Sequence, residues 1–275
     1  FRSREDRWWV EAYAQAEIEV RTNLLLNLGG RYGYNSQFGA TGHPRLALVY
    51  QPVSEATLKL LYGSAYRAPN VYELYYTVTP GNVPNPDLEP EEITTYEFVY
   101  EQALPWEVRF SSSLYRYEIN DLISATEVEG GIRFENLNQA EAYGMEFGLE
   151  KRWKNGGLAR VSYTLQEAQD GETGKVLSNC PRQIGQAQVI VPIWKDRIHT
   201  GLEVIHVDSV ETESGRELDA YTLVNVTLFS RNLVKGLEVS ASVYNLFDAD
   251  AYFPVGAEVP YASIADEGRG FRCKL

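Results

Sequence analysis

No run of about 18 apolar residues occurs anywhere in the 275-residue chain, so the sequence offers no membrane-spanning helix. Cysteine is scarce: Cys180 and Cys273 alone cannot make a disulfide scaffold. Methionine occurs once, although it usually fills irregular cores. Cations are short too. Lys and Arg number 25 against 38 Asp and Glu, a formal charge of −13. That balance excludes a nucleic-acid binder, which needs cationic surface to displace counterions. Residues 1–10 lack the apolar core of a signal peptide, which leaves a cytosolic protein or a mature chain or fragment. What is plentiful is tyrosine, at 19 residues. Tyr suits strands and membrane interfaces, where one end of a ring is dry and the other wet. With 44% hydrophobic and 23% charged residues the chain is not disordered.

Apolar and polar residues alternate with period 2 along almost the whole length. Tyr143, Met145, Phe147 and Leu149 oppose Gly144, Glu146, Gly148 and Glu150. Val10, Ala12, Ala14, Ala16, Ile18 and Val20 oppose Glu11, Tyr13, Gln15, Glu17 and Glu19. The pattern predicts about 13 strands, near 8–20, 23–35, 44–52, 56–66, 91–103, 106–119, 139–152, 157–168, 184–194, 197–208, 217–230, 235–246 and 267–275. A small hairpin turning at Gly130-Gly131 is expected within 124–136. Short turns, such as Arg21-Thr22-Asn23, Lys154-Asn155-Gly156 and Lys195-Asp196, alternate with long polar connections at 67–90, 120–138, 169–183, 209–216 and 247–266.

Strands of this length, with short turns on one side and long loops on the other, fit an outer-membrane barrel. Charges fall mid-strand on the polar face, among them Glu17, Arg31, Lys59, Arg109, Glu146 and Arg160. A dry sandwich core could not hold them unpaired, whereas a wet barrel interior could. The expected fold class is therefore all-β, an antiparallel up-and-down transmembrane β-barrel. The alternative is a soluble antiparallel sheet with one solvated face.

Tyr66-Arg67-Ala68-Pro69-Asn70 ends a strand and opens a long connection, which closes with Asn85-Pro86-Asp87-Leu88-Glu89-Pro90-Glu91. Asn136-Leu137-Asn138-Gln139-Ala140 leads into Ala142-Tyr143-Gly144-Met145-Glu146. Asn245-Leu246-Phe247-Asp248 is followed by Tyr252, and Gly268-Arg269-Gly270-Phe271 stands near the end. In content and order these stretches resemble the motifs of TonB-dependent outer-membrane receptors. The resemblance implies a barrel of about 22 strands filled by an N-terminal plug. Residues 1–275 would then be part of one barrel domain, roughly its last 13 strands, with the plug absent.

The same resemblance implies a receptor, not an enzyme, for TonB-coupled uptake of a scarce metal chelate. A ferric siderophore comes first; cobalamin or heme, or a non-transporting adhesin-like barrel, are the alternatives. The implied partners are the chelate, the TonB complex acting through the plug, and outer-membrane lipid. No cofactor is expected, and none of the catalytic motifs searched for occurs. Heme receptors of the family place a His between the first two motifs, and residues 70–84 contain none. His199 and His206, seven residues apart on one expected strand, face opposite sides and cannot pair on a metal. The candidate ligand-binding residues are Arg67, Asn70, Tyr72, Tyr75, Tyr76 and Asn82, because aromatic rings with amide and guanidinium donors suit a bulky polar chelate. The alternatives remain open that Arg67-Ala68-Pro69 merely ends a strand and that the tyrosines form an aromatic girdle.

Overall fold

The structure, a computed structural model, describes residues 6–77, 81–194, 197–234, 236–255 and 261–275. It contains β1 (Trp9–Arg21), β2 (Leu24–Asn35), β3 (Gly39–Val53), β4 (Ala56–Arg67), the helix α1 (Val71–Tyr75), β5 (Gly81–Val83), β6 (Glu91–Leu104), β7 (Val108–Val128), β8 (Gly131–Arg152) and β9 (Leu158–Asp170). It continues with β10 (Gln183–Trp194), β11 (Ile198–Val207), β12 (Val210–Glu211), β13 (Glu217–Leu218), β14 (Tyr221–Val234), β15 (Leu237–Tyr244), β16 (Tyr252–Pro254), β17 (Ser263–Ala265) and β18 (Gly270–Lys274). The main sheet runs β1-β2-β3-β4-β6-β7-β8-β9-β10-β11-β14-β15-β18, thirteen strands in sequence order, and β5 adds to β8 in parallel. Every register resolved along that path is antiparallel. No pairing joins β1 to β18 among the described residues.

The chain forms two compact units, Phe1–Val99 with Tyr115–Tyr143 and Ala168–Val176, and Tyr100–Leu114 with Gly144–Glu167 and Leu177–Leu275. In the first, one face carries an apolar row. Ala16 pairs with Leu28, Leu28 with Leu46, and Leu46 with Tyr62; beside it run Ile18, Leu26, Leu48 and Leu60. In the second, Val189 pairs with Leu202, Leu202 with Val226, Val226 with Val243, and Val243 with Phe271. None of these side chains is buried, and Leu28, Leu60, Leu202 and Phe271 are exposed. The buried apolar side chains of the described residues lie mostly in the connections, as Leu74, Leu88, Leu218 and Ala251 do. A soluble sandwich would bury its mid-strand rows instead. Apolar rows without a core behind them are what a sheet immersed in lipid requires.

The opposite face of the second unit is polar along the matching row. Arg160 lies opposite Gln188, Gln188 opposite Glu203, and Glu203 opposite Asn225. Glu150 accepts from Arg160 and Arg152, and Asn225 Nδ2 donates to Glu203 Oε2 at 2.9 Å. Glu150 thus joins the polar face, as its alternation with Leu149 requires. Tryptophans mark the short connections of this unit: Trp106, Trp153 and Trp194 all sit beside them, exposed. Rings at that level are the signature of an interfacial girdle.

Three boundary expectations need correction. The hairpin expected to turn at Gly130-Gly131 does turn there, but as the tip of one long hairpin and not inside a loop spanning 120–138. β7 and β8 run 21 and 22 residues and turn only at 129–130, so the strands carry on past the length a bilayer needs. The cause is visible in the residues. By alternation Leu114, Arg116 and Glu118 share one face of β7, and Arg116 pairs with Glu118 at 3.0 Å and Glu141 at 3.3 Å. Five further charges, Asp121, Glu127, Glu129, Arg133 and Glu135, crowd the next residues and read as loop, yet a strand in water tolerates them. β3 starts at Gly39 rather than residue 44, because Arg31 to Asn35 continue to find partners in Gly39 to His43. The strand expected at 217–230 breaks, with Glu217–Leu218 turning back on Val210–Glu211 as a separate hairpin. The expected turn at Lys195-Asp196 and residue 235 of the strand 235–246 lie outside the described residues.

Candidate functional site

The connection between β4 and β6 carries the candidate residues. Its helix α1 has five residues, too short to stand alone, since helix nucleation is costly. A capping box holds its start. Asn70 Oδ1 accepts from Glu73 N at 3.0 Å, and Glu73 Oε2 accepts from Asn70 N at 2.8 Å. Leu74 is wholly buried and anchors the other side.

Arg67, the last residue of β4, grips two carboxylates. Its Nε and Nη2 donate to Glu91 at 2.5 and 2.6 Å, and its Nη1 donates to Glu73 at 2.9 Å. Glu91 Oε1 also accepts from Ile123 N at 2.9 Å. Burial pushes the Glu91 carboxyl up, but the Arg67 guanidinium and the Ile123 N–H outweigh it and hold it below the usual carboxylate range. For Arg67, the bond to Glu91 dominates and raises an already high value.

The far end of the connection is tied down as well. Asn85 Nδ2 donates to Phe134 O at 2.8 Å, and Asn85 Oδ1 accepts from Arg133 Nη2 at 3.2 Å. Asn136 closes a second tie: its Oδ1 accepts from Glu89 N, and its Nδ2 donates to Glu89 O and Asp121 O. The first three sequence motifs are therefore one another's hydrogen-bond partners. The last two are as well. Asn245 brackets Ala249, accepting from its N and donating to its O at 2.8 Å each, and Asp248 Oδ1 accepts from Arg269 N at 2.8 Å.

On this frame the rings gather. Tyr72 stacks on Tyr76 with centroids 4.6 Å apart, and Phe134 meets Tyr72 edge-on at 5.8 Å. Asn82 Nδ2 donates to Tyr72 Oη at 2.9 Å. Tyr72 is exposed and Tyr75 and Tyr76 are half-buried. The structure thus joins Tyr72, Tyr76 and Asn82 into one cluster, and engages Arg67 and Asn70 in holding α1. Phe134 was not among the sequence candidates; its place across from Tyr72 follows from the extension of β8, which alternation at 139–152 did not announce. The histidines stand apart. His43 stacks on Tyr66, His199 on Phe229, and His206 bonds Thr222. Among the described residues no group of three or more His, Cys, Asp or Glu side chains is placed to hold a metal ion.

Comparison with known proteins agrees with this architecture. The family described as TonB dependent receptor-like, beta-barrel, matches residues 1–246. The vitamin B12 transporter BtuB of Vibrio cholerae is 27% identical over 253 residues, covering 89% of this chain and 39% of its own length. BtuB of Photobacterium profundum is 29% identical over 230 residues, covering 78% and 35%. The chain spans roughly two fifths of the length of these curated relatives. Among solved structures, the ferric enterobactin receptor of Pseudomonas aeruginosa aligns with a TM-score of 0.81 at 20% identity, over 97% of this chain and 44% of that one. The siderophore receptor PirA of Acinetobacter baumannii aligns with a TM-score of 0.79 at 18% identity, over 97% and 45%. These structures share the fold, and barrels of this kind lie in the outer membrane of Gram-negative bacteria. Sequence-order antiparallel strands, exposed apolar rows, mutually bonded motifs and the family match over residues 1–246 all point the same way: the chain belongs to the TonB-dependent receptor β-barrel family.

Proposed function

We propose that this chain is the C-terminal part of a receptor barrel that captures a scarce metal chelate for TonB-coupled uptake, and that the chelate is a neutral or weakly charged ferric siderophore. The observation that carries the site is the Tyr72–Tyr76 stack with Asn82 bound to the Tyr72 hydroxyl. It supplies apolar faces and an amide on a clamped support, which limits the entropy lost when a ligand binds. Tyr75 flanks the pair, and Arg67 and Asn70 belong to the site as its support. The coupling would come from a plug acting with the TonB complex.

The charge follows from the local field. Arg67 is already shared between Glu73 and Glu91, and Arg133 faces Glu135 at 3.5 Å. Asp87 and Glu89 have no cationic partner among the described residues. A trianionic chelate would meet net repulsion there, whereas a neutral trihydroxamate would not. Cobalamin is the second reading, favoured by the BtuB relatives. The test is equilibrium binding of ferric desferrioxamine and cyanocobalamin to the full-length receptor and to its Tyr72→Ala/Tyr76→Ala variant. The variant should lose about 1–3 kcal/mol toward the chelate that the parent binds. Unchanged affinity would assign the rings to the girdle.

A further inference from the structure

We infer that Arg67 is a positioning residue for ligand capture: it fixes α1 so that Tyr72 and Tyr76 present one preformed aromatic surface. The inference rests on the ring-pair site proposed above and assigns a distinct role within it. A guanidinium has five N–H donors. Here Nε and Nη2 form a fork on Glu91, and Nη1 meets both Glu73 oxygens at 2.9 and 3.1 Å. Few donors remain for a ligand. The two carboxylates belong to different elements. Glu73 lies inside α1 between the stacked tyrosines in sequence, and Glu91 opens β6 and holds the Ile123 amide of β7. One side chain therefore ties the helix to three strands. The capping box closes only the first turn of the helix onto itself. Without Arg67 the buried Glu73 carboxylate would keep its bonds within α1 but lose the one link to the sheet that is charged on both sides.

The two roles for Arg67 separate in a double-mutant cycle. Arg67→Met preserves the length of the side chain and removes the fork; Arg67→Lys restores a single charge. Both are made in the full-length receptor, alone and together with Tyr72→Ala/Tyr76→Ala. Each is checked for the folded band on an unboiled gel, and probed with ferric desferrioxamine and cyanocobalamin. Arg67→Met alone should weaken binding about tenfold, with partial recovery in Arg67→Lys, and should expose the Leu74–Tyr75 bond to limited proteolysis. In the ring-deleted background it should weaken binding no further, because its effect passes through the rings. Additive losses would overturn the inference by making Arg67 a direct contact. So would protease exposure of α1 with binding unchanged. If the ring deletion itself leaves binding intact, the ring-pair site falls first, while the proteolysis pattern still reports whether Arg67 holds α1. A parent receptor that binds neither probe removes the site and this role for Arg67 together.

Discussion

Asn245 shows how much one turn residue can carry. It adopts a positive φ of 49°, is nearly fully buried, and saturates both backbone groups of Ala249 while its own N–H donates to Asn225. Asn tolerates the left-handed region better than most residues. Asn245→Ala would leave both backbone groups of half-buried Ala249 without this partner and should cost about 1–2 kcal/mol in urea unfolding of the folded barrel. Asn245→Asp sets a buried carboxylate oxygen against Ala249 O. It should be at least as destabilised as Ala at neutral pH and recover as the carboxyl is protonated, and an Asp variant as stable as the parent at neutral pH would contradict that assignment. Glu91 makes a pH prediction. Its folded pKa lies below its ordinary value of 4.5, so its contribution is fully present above that value and is lost as pH falls through the depressed one. Pepsin, active across this range, should begin to cut at Leu74–Tyr75 only below pH 4.5 in the parent. Glu91→Gln should be cut at every acid pH tested. Equal cleavage of the two proteins would remove Glu91 from the support of α1. At this scale the sequence displayed the motifs but not their pairing. Arg67 and Glu91 are 24 residues apart, and Glu89 and Asn136 are 47 apart. Nothing in either stretch names the other, so each read equally well as an isolated turn.

At the scale of the strand, alternation carries most of the information, because a one-residue slip would exchange every inward and outward side chain. The expected thirteen strands match the thirteen of the main path, in order. Alternation was hardest to read in the outer parts of β7 and β8. There Val128, Ile132 and Phe134 still alternate with Glu127, Glu129, Arg133 and Glu135, but the run is short, charge-rich and interrupted by glycines, so it reads as a small hairpin in a loop although the strands are continuous. The contrast between faces gives the third prediction. Leu202 lies mid-strand in the apolar row of β11, between Val189 and Val226. Gln188 lies in the polar row, between Arg160 and Glu203. Leu202→Arg should cost about 2–4 kcal/mol in liposomes, and Gln188→Arg less than about 1 kcal/mol. The measurement is the urea midpoint in a lipid bilayer, where the folded band is followed by gel mobility. Equal costs would mean that the apolar row does not face lipid.

Over the whole chain, the acidic balance of −13 matters most where the proposed ligand approaches. Taking about 8 Å between each of Asp87 and Glu89 and a bound trianion, water-like screening gives about 0.5 kcal/mol per charge pair, and about 3 kcal/mol in total before salt. At physiological ionic strength the Debye length is about 8 Å, which leaves roughly 1 kcal/mol. Side-chain solvation and a plug surface add terms of their own, so the salt dependence decides more than the absolute affinity. Ferric enterobactin, a trianion, should therefore bind this receptor about fivefold more weakly at physiological salt than at 1 M salt, relative to the neutral cyclic trihydroxamate ferric desferrioxamine E. Asp87→Asn/Glu89→Gln should flatten that dependence without changing the neutral chelate. Neither residue supports the frame through its side-chain charge, since Asp87 and Glu89 enter the ties by backbone groups. Loss of the folded barrel in that variant is thus not expected. An anionic chelate that binds more tightly as salt is lowered would reverse the sign of the local field, and with it the preference for a neutral ligand.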